Sequence, residues 1–339
     1  MSNMSLKRLS LLSYLVVAVC LICADGEVQA ALLAYEPFAY GDVAVPSDGQ
    51  YTVGNEDSGT GVIGGQNPTI GPTAFYDGPW IQSGGDSQVV KAVSSFSYPN
   101  FQPGIGGVQR ETVQFDCCSF GRSGRAIGEL DPINAPGELG LGGGRDARTI
   151  YESFLIDFGN QGTDAATDFG KRGHELWNGG VGDSFLAVDL FLNHFSGVND
   201  LSLAVTTISG TTTVPVAGGG LNLAALTGTH LVVMKYEFNP ADPDVVSVYF
   251  DPTSNIEPLT SDALVSVAAS DLFITHQGAF TNFTFSGDGH IPGGIDEIRW
   301  GDTFFDVTPF VVPEPASFSL LGLSMVGLIM VRRRSKRCR

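Results

Sequence analysis

The side chains here that could do chemistry are carboxylates, imidazoles, thiols and indoles, and their spacing decides how much they can do. Hydrolysis of a glycoside needs two carboxyl groups about 5 to 9.5 Å apart across a cleft. In a strand, residues two apart share a face and adjacent ones diverge. Glu152 and Asp157, five residues apart, therefore point to opposite faces, and Asp296 and Glu297 diverge as neighbours. The histidines 174, 194, 230, 276 and 290 are scattered. None pairs at metal-ligand spacing, and no serine stands in a nucleophile elbow. No catalytic residue is assigned on these grounds.

Binding chemistry has more candidates. Asp288 in Ser286-Gly287-Asp288-Gly289-His290, and Asp251, are the candidate ligands for Ca2+. Calcium takes six to eight oxygens; glycine and aspartate that merely make turns are the competing reading. Trp80 after Gly78-Pro79 and Trp177 in Leu176-Trp177-Asn178-Gly179-Gly180 lie in loop-like surroundings, where an indole can stack on a sugar ring. Cys117 and Cys118 are adjacent and cannot close a stapling loop. They read as one buried and one exposed thiol, or as a vicinal disulfide.

The elements that must position these groups are short and alternating. Forty-four glycines and eighteen prolines favour a turn-rich all-β architecture. Thr149 to Phe158 reads as a strand. From Ser184 to Asn193, Leu186, Val188, Leu190 and Leu192 take one face, with Phe185, Ala187, Asp189 and Phe191 on the other. Leu231 to Phe238 and Val245 to Phe250 form an antiparallel pair joined through Asn239-Pro240-Ala241-Asp242-Pro243. Further strands are expected at 271–276, 279–285 and 295–300. Residues 259–270 read as the sole helix, and Gly121 to Gly144 as a surface insertion. The glycine runs at 104–107, 140–144 and 218–220 lie between strand-like segments, which excludes phosphate loops. No repeat of propeller or solenoid period is apparent.

Both ends carry sorting chemistry. Lys7 and Arg8 precede an apolar stretch from Leu9 to Cys23, and Val28-Gln29-Ala30 offers small residues for cleavage. Residues 1–30 therefore read as a secretory signal peptide, with the Sec export machinery as partner. Near the other end, Ala316 to Val331 is a sixteen-residue run without charge. As a helix it would reach about 24 Å, against about 30 Å of hydrocarbon, a span that arginine snorkelling and bilayer thinning can complete. Arg332, Arg333, Arg334, Lys336, Arg337 and Arg339 follow it and would stay cytoplasmic, placing the body outside. Before the run, Pro313 and Pro315 hold Val312-Pro313-Glu314-Pro315 extended, as a protease or transpeptidase cleft requires.

That tripartite order resembles the PEP-CTERM sorting signal of Gram-negative bacteria. The resemblance implies recognition by exosortase, a membrane transpeptidase with a cysteine nucleophile. It also implies transient inner-membrane anchoring, then release or transfer to the cell surface or matrix. The terminal segments hold eight of the eighteen basic residues but only Asp25, Glu27 and Glu314 of the thirty-six acids, so the formal charge of −18 becomes near −23 for the body. Such a charge excludes nucleic acid as a partner.

The body, residues 31–311, carries a second resemblance. Phe154-Leu155-Ile156-Asp157-Phe158, the paired strands 234–238 and 245–251, and Gly294 to Asp302 followed by Val307-Thr308-Pro309 are similar to concanavalin A-like lectin/glucanase (LamG-like) jelly rolls. This implies a β-sandwich whose first strand, within Leu33 to Tyr40, pairs near its last. Glucanase members place Glu, Asp and Glu at alternating positions on one strand, and this chain has no such trio. The expectation is a non-catalytic glycan-binding or structural module, associated with polysaccharide and biofilm. The alternative is a divergent glycan hydrolase.

Overall fold

The computed structural model describes residues 32–36, 38, 75–84, 88–91, 96–99, 101, 108–111, 120–128, 140–142, 147–159, 169–181, 186–195, 198–207, 209–215, 226, 228–284, 293–308 and 310. Expectations for residues 1–30, Cys117, Cys118, Asp288, His290, the glycine runs at 104–107 and 218–220, and the tail from 312 fall outside them.

Period-2 patterning with β-branched and aromatic residues gives strands almost throughout. The first sheet runs β14 (Val265–Ala269), β13 (Asp244–Phe250), β12 (Thr229–Phe238), β7 (Arg148–Asp157), β17 (Gly294–Gly301), β4 (Val108–Glu111) and β3 (Gln88–Lys91), with β1 (Leu32–Glu36) also paired to β17. The second runs β11 (Gly210–Pro215), β10 (Val198–Thr207), β9 (Leu186–Phe195), β8 (Phe169–Trp177), β16 (His276–Thr284), β5 (Phe120–Ile127) and β2 (Tyr76–Gly84). A small ribbon joins β6 (Leu141–Gly142) to β15 (Phe273–Ile274). The pairings within both sheets are antiparallel. The expected pairing of the first strand with the last is present as β1 on β17, and the 231–250 pair as β12 on β13.

The sheets face each other across one core. Ile150, Phe154 and Ile156 of β7 and Val232, Met234 and Tyr236 of β12 meet Leu176 of β8, Val188, Leu190 and Leu192 of β9, and Leu201, Leu203 and Val205 of β10. The first sheet also buries its other face. Tyr151, Leu155, Leu231, Val233 and Tyr249 point there, under Phe96, Phe101, Phe304 and Val307. Strands covered on both sides lose polar/apolar alternation, which is why β7 and β12 are almost wholly buried.

Two expectations are corrected. Residues 259–270 are not a helix: Thr260–Asp262 is one 3-10 turn and 265–269 is β14. Val265, Val267 and Ala269 are buried while Ser266 and Ala268 are exposed, a period of two that satisfies an edge strand on β13. Among the described residues one short helix occurs, α1 (Phe304–Val307), started by a capping box between Thr303 and Asp306. The segment from Gly121 is not a surface insertion either, since 120–127 is β5 inside the second sheet. Its glycine has a packing reason: a Cβ on Gly124 would come within 2.7 Å of the Trp177 ring, and one on Gly278 within 2.8 Å.

Candidate functional site

The inner faces of the two sheets carry a continuous polar chain. Alternation aims Glu152 of β7, His174 of β8 and Tyr236 of β12 inward. Glu152 accepts from the Tyr236 hydroxyl at 2.7 Å and lies 2.8 Å from His174 Nε2, while His174 Nδ1 lies 3.2 Å from the Ala279 carbonyl. A carbonyl only accepts, so Nδ1 carries a proton. A second proton must then lie between Nε2 and the carboxyl, making the contact an ion pair or its neutral tautomer. Burial first, and the Glu152 charge next, hold the Tyr236 hydroxyl far above its ordinary range.

Tyr236 stacks on Trp300 at 5.7 Å, and Trp300 Nε1 and the Tyr76 hydroxyl both donate to Gln277 Oε1. Arg125 lies over the Tyr76 ring and bonds Glu36 at 3.3 Å and the Gly78 carbonyl at 3.1 Å. Glu36, Arg125, Glu152, His174, Gln277 and Trp300 are at most 2% exposed. This chain ties the sheets together and is closed to any substrate.

Asp296 and Glu297 do not diverge as strict alternation requires. Glu297 sits at φ +57 where the β17 register shifts, a bulge that turns both acids toward the outer face of the first sheet. Asp296 accepts from the Phe96 and Glu297 amides, and Glu297 from the Tyr35 hydroxyl and Arg299. Burial, with each other's proximity at Asp296, pushes both carboxyls up; Arg299 offsets part of this at Glu297. Both acids are buried. Glu152 and Asp157 lie on opposite faces of β7, as their spacing requires: Glu152 is in the core and the half-buried Asp157 accepts from the Gly159 amide.

The outer face of the second sheet holds groups that spacing alone did not mark. Glu175 of β8 opposes Asp189 of β9 in register. Arg122 of β5 reaches Glu175 through Nη2 at 3.0 Å and Nε at 2.7 Å. All three side chains are buried. Trp177 lies on the same face over Gly124 and Gly278, with Val181 beside it, and is 0% exposed. Trp80 belongs to β2 and packs in the core against Phe38, 1% exposed. Neither indole offers a face to a sugar, because strand burial replaces the loop surroundings expected of them.

The candidate calcium ligand Asp251 is hydrogen-bonded within its own strand pair. It caps the β12–β13 pair at φ +51, accepting from the Leu231 amide at 3.1 Å and lying 2.8 Å from His230 Nδ1. Among the described residues no three His, Cys, Asp or Glu side chains come together as metal ligands.

Two features among the described residues are open to solvent. A groove of about 190 Å³ runs between the β10–β11 hairpin and the end of β14, lined by Thr207, Ser209, Thr211, Thr212 and Ser270 together with Val205, Ala268 and Ala269. No carboxylate lines it, so it can hydrogen-bond a hydroxylated polymer but cannot supply an acid and a base. The other feature is the exit of the chain. Phe310 bridges Phe101, with the rings edge-on at 5.8 Å and Tyr98 packed against both.

Residues 311–334 match the PEP-CTERM protein-sorting motif. The PEP-CTERM signal marks an exported, exosortase-processed protein with a C-terminal membrane-anchoring segment. Among the described residues no helix is long and apolar enough to cross a membrane; the expected span, 316–331, lies outside them.

Structural likenesses to the body are remote. The endo-beta-1,4-glucuronan lyase from the fungus Trichoderma reesei is 11% identical over 83% of this chain and 100% of its own, with a TM-score of 0.40. The endo-1,3-beta-glucanase from Streptomyces sioyaensis is 13% identical over 80% and 96%, at 0.38. The T. cruzi calreticulin globular domain is 11% identical over 66% and 83%, at 0.36. No curated protein matches in sequence. Likeness at this level says nothing of activity.

For this chain, sequence reading found the sorting motif and missed the Arg122–Glu175–Asp189 group. One signal was present: Asp189 is an acid flanked by Ala187 and Phe191 on its face of β9.

Proposed function

We propose that this chain is exported, cut at its PEP-CTERM tail by an exosortase-like transpeptidase, and left at the cell surface or in the extracellular matrix. There its sandwich serves without catalysis, as a glycan-binding or structural module associated with exopolysaccharide and biofilm. The observation that carries this reading is the sorting motif beginning directly behind Phe310, the last described residue of the body. The threonine- and serine-lined groove supports the binding role, and the closure of the described acid clusters supports a role without catalysis.

The C-terminal mass of the extracellular form tests the processing. A new end near Pro313 or Glu314 is expected; a mass that keeps Arg332 to Arg339 overturns it. Polysaccharide affinity without new reducing ends tests the binding role, with Thr211→Ala/Thr212→Ala weakening it.

A divergent glycan hydrolase is the second reading; Glu175 and Asp189, opposed in register but buried, are the carboxylates it would have to use. Release of reducing sugar that Glu175→Gln abolishes would replace the non-catalytic reading with this one.

A further inference from the structure

Four large apolar side chains stand exposed among the described residues: Ile256 at 75%, Leu259 at 71%, Phe305 at 52% and Ile81 at 50%. Three of them lie in one layer. Residues 96–99, 101, 252–263, 304–308 and 310 together cover the outer face of the first sheet. Tyr98 donates to the Pro252 carbonyl and packs on Phe310; Tyr151 donates to Glu257 and meets Phe304 edge-on at 6.1 Å. Ile256, Leu259 and Phe305 are thus on the covering layer from which the chain leaves at Phe310. Ile81 is in β2, on the other sheet.

We propose that this layer rests on the bilayer that holds the tail, with Ile256, Leu259 and Phe305 set among uncharged headgroups until the tail is cut. The inference rests on the PEP-CTERM reading and adds the surface that the anchored form uses. Only residues 311–315 separate Phe310 from the apolar run at Ala316. Fully extended, that tether spans about 20 Å, roughly two sheet spacings. The exit layer cannot move far from the membrane, and a short tether acts as a local concentration of order millimolar. Under that condition a few shallow apolar contacts suffice. The same side chains would not hold a free protein on a membrane, so cutting the tail also releases the face. The body is near −23 in formal charge, which sets the lipid chemistry: anionic headgroups repel it and zwitterionic ones do not.

The test uses the full chain in phosphatidylcholine vesicles, floated on a gradient and footprinted with hydroxyl radicals. A comparison chain carries about thirty Gly and Ser residues inserted after Phe310, which lowers the local concentration roughly twentyfold by the −3/2 power of tether length. Both chains float if the tail anchors. Oxidation of Ile256, Leu259 and Phe305 is expected to be about threefold lower in the native-length chain than in the lengthened one, with Ile81 equal in both. Equal labelling of the three in floated chains overturns the docking and leaves the anchor standing. Protection of Ile81 to the same degree overturns the choice of face. Protection that vanishes when protein per lipid is lowered means contact with a second copy, and overturns it too. A chain that does not float overturns the anchoring itself, and the docking with it.

Discussion

The first sheet is covered on both faces mainly by rings and aliphatic side chains, its outer acids Asp296 and Glu297 being confined to the β17 bulge, whereas the outer face of the second bears Arg122, Glu175, Asp189 and an indole seated on two glycines. Their inner faces are alike, so the contrast lies outside the common core. A strand clamped by apolar packing on both sides has its register fixed twice over, since a slip of one residue would misplace both faces. The first sheet is thus the scaffold. A face built on an ion pair is held by fewer and more directional contacts, which is where side chains can change without moving the frame.

Pair-breaking gives the largest effect and probes the contrast directly. Glu152→Ala strands His174 and Tyr236 in the core and should cost about 3 to 5 kcal/mol in urea-unfolding free energy. Glu175→Ala should cost a similar amount, because Arg122 is then left buried without its carboxylate. A loss under about 1 kcal/mol for Glu175→Ala would show that the outer pair is hydrated, and the contrast would widen.

Next in size is Phe304→Ala, which opens a cavity beneath the cover of the first sheet and should cost about 3 kcal/mol, read as a lower thermal midpoint. If near-UV circular dichroism of Trp80 and Trp300 stays unchanged while the midpoint falls, the outer cluster is separable from the core.

Smaller effects come from titration, with opposite signs in the two sheets. In the first sheet, Asp296 and Glu297 titrate above the ordinary carboxyl range. Between that range and the raised values the folded state keeps protons that the unfolded chain has released, so stability falls as pH rises through the window. Asp296→Asn should flatten that fall, seen in urea midpoints from pH 4 upward. In the second sheet, burial holds His276 below its ordinary value. The unfolded chain protonates first as pH falls below about 6.5, so its share of stability is present above that pH and lost with acid. His276→Gln should remove the acid-side loss. Smallest of all, Ile81→Ser should stay within about 0.5 kcal/mol, as expected for an exposed strand residue.

What could be read in the sequence follows from locality. The β12–β13 hairpin was legible because its turn and both strands lie within 229–250. The alternation of β9 was legible because an apolar row faces a mixed one. The β17 bulge was not, since nothing near Glu297 announces a positive φ; its cause lies in Tyr35 and Arg299, one of them far away in sequence. Trp80 and Trp177 were misplaced for the same reason. Neighbouring glycines and a proline suggest a loop, whereas glycines brought in from β5 and β16 supply the close seat of the Trp177 indole.

The pairing of β1 with β17 sets an order in time as well as in space. Tyr35 and Glu297 are 262 residues apart, and the partner strand sits inside the first sheet next to β7. Closure of so long a loop is slow, and here it must wait for residues near the end of the chain. A protein threaded outward from its N-terminus therefore cannot complete this sheet until almost all of it has crossed. Under the proposed export, the completion of this sheet and the arrival of the sorting tail at the membrane would nearly coincide.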